Sequence, residues 1–280
     1  MKTHIITVAT NSELYFPYLV DSCKKNGIPL TVLGYGEKWS GFSFKFDKII
    51  QYLKRLDPND IVCFIDGYDV ICVRDLREIT DVFLQLKKRT NCKIVVAENK
   101  IITNNIYYLY LSINEKIVFD KCKNKFLNTG QYIGHVKDIL YVLEQVYTGD
   151  NTLDDQKIMV QYCKSNPNDI YIDLKNELLL TIDRPFDSIH PYLTVKNNKI
   201  YHKNNRPFFI HGNGHTFLDS TLSLIGYKNV NIDNILSKKY KFKCIFVKYF
   251  SAMCYVSIYI LIFIALFIYI MINKYYNSTL

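Results

Sequence analysis

The 280-residue sequence predicts an α/β fold with a doubly wound mixed sheet, and three observations lead there. Short apolar runs suited to strands alternate with stretches of helical periodicity across the first hundred residues. The run Ile61-Val62-Cys63-Phe64-Ile65 is uninterrupted and stops at Asp66-Gly67, the pattern of a strand buried on both faces. A hydrophobic content of 49% over this length supplies one ample core or two small ones.

Taken in order, residues 4–10 read as a first strand and 11–25 as a helix with polar starting residues. Residues 30–33 form a short strand that ends at the glycine-flanked loop 34–41. Phe46, Ile49, Ile50 and Leu53 are spaced as one helical face over 46–56, and Asp57-Pro58 closes it. The central strand 61–65 follows, then a helix over 76–88 and a β-rich run over 93–97. The polar, tyrosine-rich stretch 99–125 follows neither a helix nor a strand pattern. Residues 126–134 read as a strand or hairpin and 136–147 as a helix. Residues 154–162 open another helix, with acids at its positive end. Short strands are expected at 170–173, 178–182, 199–201 and 208–211, the last ending in glycines. No internal repeat is visible.

The carboxyl-terminal part differs in composition. Residues 237–248 are basic, with Lys238, Lys239, Lys241, Lys243 and Lys248, whereas 249–273 hold no charged side chain. The core 252–272 is long enough to cross a hydrocarbon layer of ~30 Å as a helix. Five lysines precede this span and Lys274 follows it. The positive-inside bias therefore predicts a cytosolic large domain (1–236) and a short tail, 274–280, across the membrane. Met1-Lys2-Thr3-His4 passes straight into a strand, so no signal peptide is expected. The sequon Asn277-Ser278-Thr279 is too close to the span for use. The formal charge of +9 owes much to the juxtamembrane lysines, and no nucleic-acid-binding signature accompanies it. Eight cysteines include no Cys-x-x-Cys, so neither a zinc site nor a redox motif is supported; disulfides are permitted but not demanded.

Chemistry is expected where the central strand ends, because ligands of open α/β sheets sit beyond the carboxyl ends of strands. Asp66 and Asp69, with Gly67 turning the chain between them, can share a hard divalent cation such as magnesium or manganese. The alternative is a surface turn with two solvated acids.

Ile65-Asp66-Gly67-Tyr68-Asp69-Val70 resembles the metal-binding motif of the glycosyltransferase domain of procollagen lysyl hydroxylases. It is also similar to the related collagen-type glycosyltransferases of eukaryotes and large DNA viruses. The likeness extends to Ile5–Thr10, Val32–Gly41, Phe126–Gly134, Asp154-Asp155-Gln156 and Ile210–Gly214, in the family's order over roughly residues 3–217. It implies a GT-A-like enzyme that uses manganese and a UDP-sugar, with galactose or glucose as the donor sugar. By the same resemblance Asp66, Asp69 and His211 would be metal ligands, although a strand-end histidine bonded locally is the plainer reading of His211. Tyr68 would contact the uridine, or serve simply as a turn aromatic. Thr10 and Trp39 would line the nucleotide, and a lone tryptophan in a loop also serves packing. Lys48 would meet the diphosphate, with Lys45 competing for that role. Asn128 and Gly130 would shape the sugar pocket, where Thr129 replaces a small residue. Asp154 and Asp155 match the end of the family's acidic run and would face the reacting groups, or only charge a helix terminus. The run is shorter here, since Asp150-Asn151-Thr152-Leu153 precedes the pair. The resembling enzymes act on collagen hydroxylysine or its galactosyl form. A membrane-tethered adaptor that keeps the fold without turnover is the alternative reading.

Overall fold

The structure is a computed structural model that describes residues 1–99, 121–147, 149–150, 152, 154–182, 193–197, 199–213, 216–228, 230, 253 and 257–272. Six strands make its main sheet. In spatial order they are Leu30–Leu33 (β2), Thr3–Val8 (β1), Ile61–Ile65 (β3), Leu127–His135 (β6), Ile94–Glu98 (β5) and Ile170–Asp173 (β7). β1 runs parallel to β2 and β3, and β5 parallel to β7. β6 is antiparallel to both of its neighbours, which makes the sheet mixed.

The apolar run that suggested a doubly covered strand is β3, whose five residues are all fully buried. Its side chains alternate between two cores. Val62 and Phe64 join residues of Phe42–Leu53 (α2), Val136–Val146 (α4) and Asp155–Ser165 (α5). Ile61, Cys63 and Ile65 join those of Phe16–Lys25 (α1) and Ile79–Thr90 (α3). Each of the Ile, Val and Phe side chains contributes about 1.5–3 kcal/mol through removal from water, which anchors β3 firmly beside the site.

A second, three-stranded sheet stands beside the first: Val70–Cys72 (β4), Phe209–Gly212 (β11) and Leu179–Ile182 (β8). β4 was not foreseen. It is three residues long, and its antiparallel partner β11 lies far along the chain, so no local pattern announces it. Leu193–Lys196 (β9) and Lys199–His202 (β10) form a separate hairpin. Asp219–Leu224 (α6), also unforeseen, packs Leu222 into a third core with Ile71, Leu180 and Ile210. α2 starts at Phe42, earlier than the expected 46. The reason is Lys45, an inward-facing residue only 6% exposed that reads as polar in the sequence.

Residues 257–272 are helical with apolar side chains in the open, Tyr259 and Phe263 being 69% and 71% exposed. Among the described residues no helix is long and apolar enough to cross a membrane. Residues 249–252, 254–256 and 273 of the expected span lie outside the described residues. So do the basic segment 237–248, the tail 274–280 and most of the stretch 99–125.

Candidate active site

Three ligand-type side chains meet beyond the carboxyl end of β3. Asp66 and Asp69 flank the turn at Gly67, and His211 enters from β11, set opposite Val70 by the β4–β11 ladder. The N–H of Gly212 donates to the Asp69 carbonyl at 2.8 Å, and that of Asp66 to the Gly130 carbonyl at 2.7 Å. Strand pairing therefore fixes the backbone of every member. One ligand atom from each of Asp66, Asp69 and His211 lies within 4.8 Å of the others. Gly130 is required by this closeness. A Cβ there would stand 2.5 Å from His211 Cε1 and 2.6 Å from Asp66 Oδ2.

The protonation of His211 follows from its neighbours. Asn128 Oδ1 accepts the N–H of Gly130 at 2.9 Å, which identifies it as the oxygen, and it lies 3.1 Å from His211 Nδ1. Nδ1 must then carry the proton. Nε2 is left fully buried without a hydrogen-bond partner among the described residues, yet 3.2 Å from Asp69 Oδ2. A lone pair aimed at a carboxylate is repulsive unless a proton or a cation lies between them. Burial lowers the pKa of His211, but Asp69, and after it Asp66, more than offset this and raise it. The same features fit a divalent cation, with two carboxylates and an imidazole whose far nitrogen donates to Asn128 Oδ1 and so leaves Nε2 free to ligate.

Behind Asp66 lies a buried charge network that the sequence reading placed only in part. Lys45 Nζ is 3.4 Å from Asp66 Oδ1 and makes a shorter ion pair with Asp155 Oδ2. Burial pushes the Lys45 ammonium down, but Asp155 and Asp66 outweigh it and the pKa ends well above the ordinary lysine value. Asp155 also accepts from Thr129 Oγ1 at 3.2 Å. Burial raises the pKa of Asp66; Lys45 opposes that rise and Asp69 adds to it. The Tyr132 ring stacks on Phe64 at 4.9 Å, and its hydroxyl is buried with no hydrogen-bond partner among the described residues.

The remaining expected residues divide. Asp154 is the amino-terminal cap of α5, its carboxylate accepting from Lys157 N at 3.0 Å. Thr10 and Tyr68 meet: the Tyr68 hydroxyl accepts from Thr10 N at 3.0 Å and donates to Asn11 Oδ1 at 2.9 Å. Trp39 is 44% exposed and packs edge-on against Phe42 and Phe44. Lys48 is paired with Glu37 at 2.6 Å, so Lys45 and not Lys48 joins the carboxylates.

Residues 1–232 match the PLOD GT domain family, which is most of the chain. The chain belongs to that family. A procollagen-lysine,2-oxoglutarate 5-dioxygenase of Drosophila melanogaster is 25% identical over 237 residues, covering 78% of this chain and 31% of that protein. Procollagen-lysine,2-oxoglutarate 5-dioxygenase 2 of Homo sapiens is 27% identical over 233 residues, 77% of this chain and 30% of that one. A multifunctional procollagen lysine hydroxylase and glycosyltransferase of Caenorhabditis elegans is 22% identical over 239 residues, 75% and 30% respectively. The chain thus spans under a third of the length of these relatives. The crystal structure of A197 from STIV superposes with a TM-score of 0.38 at 13% identity, over 61% of this chain and 81% of that one, too slight a likeness to define a shared fold.

Within this PLOD GT domain the mixed, multi-strand central sheet is consistent with a GT-A-like arrangement. The sequence offered Lys45 only as the competitor of Lys48 for the diphosphate, not as the partner of Asp66 and Asp155. The available signal was a lysine set one position before Phe46 in an amphipathic helix, but only its burial between Asp66 and Asp155 gives it a role.

Proposed function

We propose that this PLOD GT domain is a metal-dependent glycosyltransferase that moves galactose or glucose from a UDP-sugar to a hydroxyl acceptor, hydroxylysine-type groups being one candidate class. The observation that carries the reading is the buried Nε2 of His211, which lies 3.2 Å from Asp69 Oδ2 and within 4.8 Å of a ligand atom of Asp66. Asp66, Asp69 and His211 would hold Mn2+ or Mg2+. When bound, the cation supplies Lewis-acid stabilisation of a departing diphosphate. Asn128 keeps the proton on Nδ1, so Nε2 stays a ligand. Lys45 holds a fixed positive charge beside Asp66 and orients Asp155, which Thr129 also grips. With its carboxylate so engaged, Asp155 suits an orienting role toward the reacting groups, and Asp154 supports it by capping α5. Thr10 and Tyr68 border the nucleotide side, with Trp39 at its exposed rim. The apolar stretch 249–273 is the proposed membrane anchor, with the lysine-rich 237–248 and the large domain on the cytosolic side.

The test is UDP release by the large domain incubated with Mn2+ and a panel of UDP-sugars. Turnover of UDP-galactose or UDP-glucose that chelation abolishes supports the reading. Metal-dependent UDP binding without release on any acceptor would favour a non-catalytic, membrane-tethered adaptor.

A further inference from the structure

Cys122 and Cys163 form a disulfide, with their Cα atoms 5.8 Å apart and both side chains fully buried in the core that faces α2, α4 and α5. What the bond joins is informative. Cys163 lies in the last turns of α5, the helix whose first residue is Asp155. Cys122 is held to the start of β6 by a tight turn: Cys122 and Lys125 exchange two backbone hydrogen bonds at 2.9 Å. Lys123 and Asn124 between them both have positive φ, 51° and 60°, as the preferred two-residue hairpin turn requires. β6 in turn carries Asn128, Thr129 and Gly130. The bond therefore ties the turn leading into β6, the strand that supports His211, to the helix that presents Asp155, two elements that the Thr129–Asp155 hydrogen bond also joins.

We propose that the Cys122–Cys163 disulfide is a positioning staple for the candidate active site, closed by a disulfide donor as the domain folds and holding Asp155 in register with the metal-ligand set. The positioning half rests on the glycosyltransferase reading; the bond itself does not. Closure balances as thiol–disulfide exchange. One cysteine thiolate attacks a sulfur of the donor and expels a donor thiolate. The second cysteine then attacks the mixed disulfide and expels the other, so the pair loses two electrons and two protons while the donor is reduced to two thiols. A glutathione-reduced cytosol opposes this step. The donor, a protein thiol oxidase or an oxidised small thiol, must therefore act on the side of the membrane where the large domain lies.

The experiment uses the full chain, isolated with N-ethylmaleimide present to block exchange, then mapped by mass spectrometry without reductant. Cys122 and Cys163 should be recovered as one linked peptide pair that resists the reagent even after denaturation, while Cys23, Cys63, Cys72 and Cys92 become labelled once unfolded. Recovery of Cys122 and Cys163 as labelled thiols would overturn the staple. The second arm compares the native chain with its reduced form and with the Cys122→Ala/Cys163→Ala variant. Loss of register should lower kcat for UDP release about tenfold or more while changing KM for the UDP-sugar less than about threefold. Hydrogen exchange over residues 155–159 should rise in both, a readout that needs no turnover and survives failure of the functional reading. Unchanged exchange and kcat in the thiol form would leave the bond a bystander and refute its positioning role. If the double variant fails to fold, reduction of the native chain decides.

Discussion

At the scale of single residues, the site crowds like charges together, and Lys45 and His211 offset them. Asp69→Asn keeps the shape of the turn and removes a ligand charge. Mn2+-dependent UDP affinity should fall roughly 10–100-fold with the fold intact, and His211→Ala should give a smaller loss, both read by calorimetric titration. The pH dependence follows from the raised pKa of His211, which burial opposes and Asp69 and Asp66 enforce. In the metal-free fold the protonated ring paired with Asp69 is stabilising below the unfolded imidazole pKa of about 6.5, and that contribution is lost as pH rises through the higher folded value. Cation binding needs the neutral ring. Mn2+ affinity should therefore climb through the same window above about 6.5 and flatten beyond it, and Asp69→Asn should move the window down. Lys45→Met strands two carboxylates. Breaking a buried pair costs about 3–5 kcal/mol, and Asp66, with 32% of its side chain exposed, recovers part of that through solvent. A loss of about 2–3 kcal/mol is expected, read as a Tm lower by roughly 4–12 °C, with Asp155→Asn in the same chain restoring part of it.

At the scale of elements, β6 is where fold and site are least separable. Its backbone closes the main sheet between β3 and β5, while Asn128, Thr129 and Gly130 each touch a different member of the site. Gly130→Ala forces a methyl group to within 2.6 Å of both His211 and Asp66, and the ligands must part. Overpacking of this kind costs about 1–3 kcal/mol in stability. The larger effect should be on metal-dependent UDP binding, which should fall more steeply than Tm, while circular dichroism keeps its α/β signature. Equal proportional losses of fold and binding would argue that Gly130 serves only packing.

For the whole molecule, two observations bear on which side of a membrane the large domain occupies. If the apolar stretch 249–273 is the proposed anchor, the five lysines before it favour a cytosolic domain, whereas a buried Cys122–Cys163 disulfide calls for an oxidising supply on that same side. Protease added to sealed membranes carrying the full chain should digest residues 1–240. If the domain is instead protected until detergent is added, the anchor is inverted and lumenal, collagen-like acceptors become the leading substrates.

The sequence by itself determined most of the strands and the Asp66–Asp69 pair, because these depend on local signals. An apolar run reads as a buried strand at 61–65, and glycine between two acids reads as a turn. Residues 30–33 and 170–173 match strands end to end for the same reason. Only the tertiary structure decided what depends on partners distant in the chain. β4 exists because β11 pairs with it, and His211 is a ligand candidate because that ladder sets it beside Asp69. Lys45, rather than Lys48, enters the site because α2 turns it toward the carboxylates, while Glu37 holds Lys48 at the surface. Asp154 and Asp155, alike in sequence, separate into a helix cap and a buried ion-pair partner once α5 is docked on β6. A charge reads as solvated until its counter-charge is known, and the counter-charges of Lys45 lie 21 and 110 residues away from it, at Asp66 and Asp155.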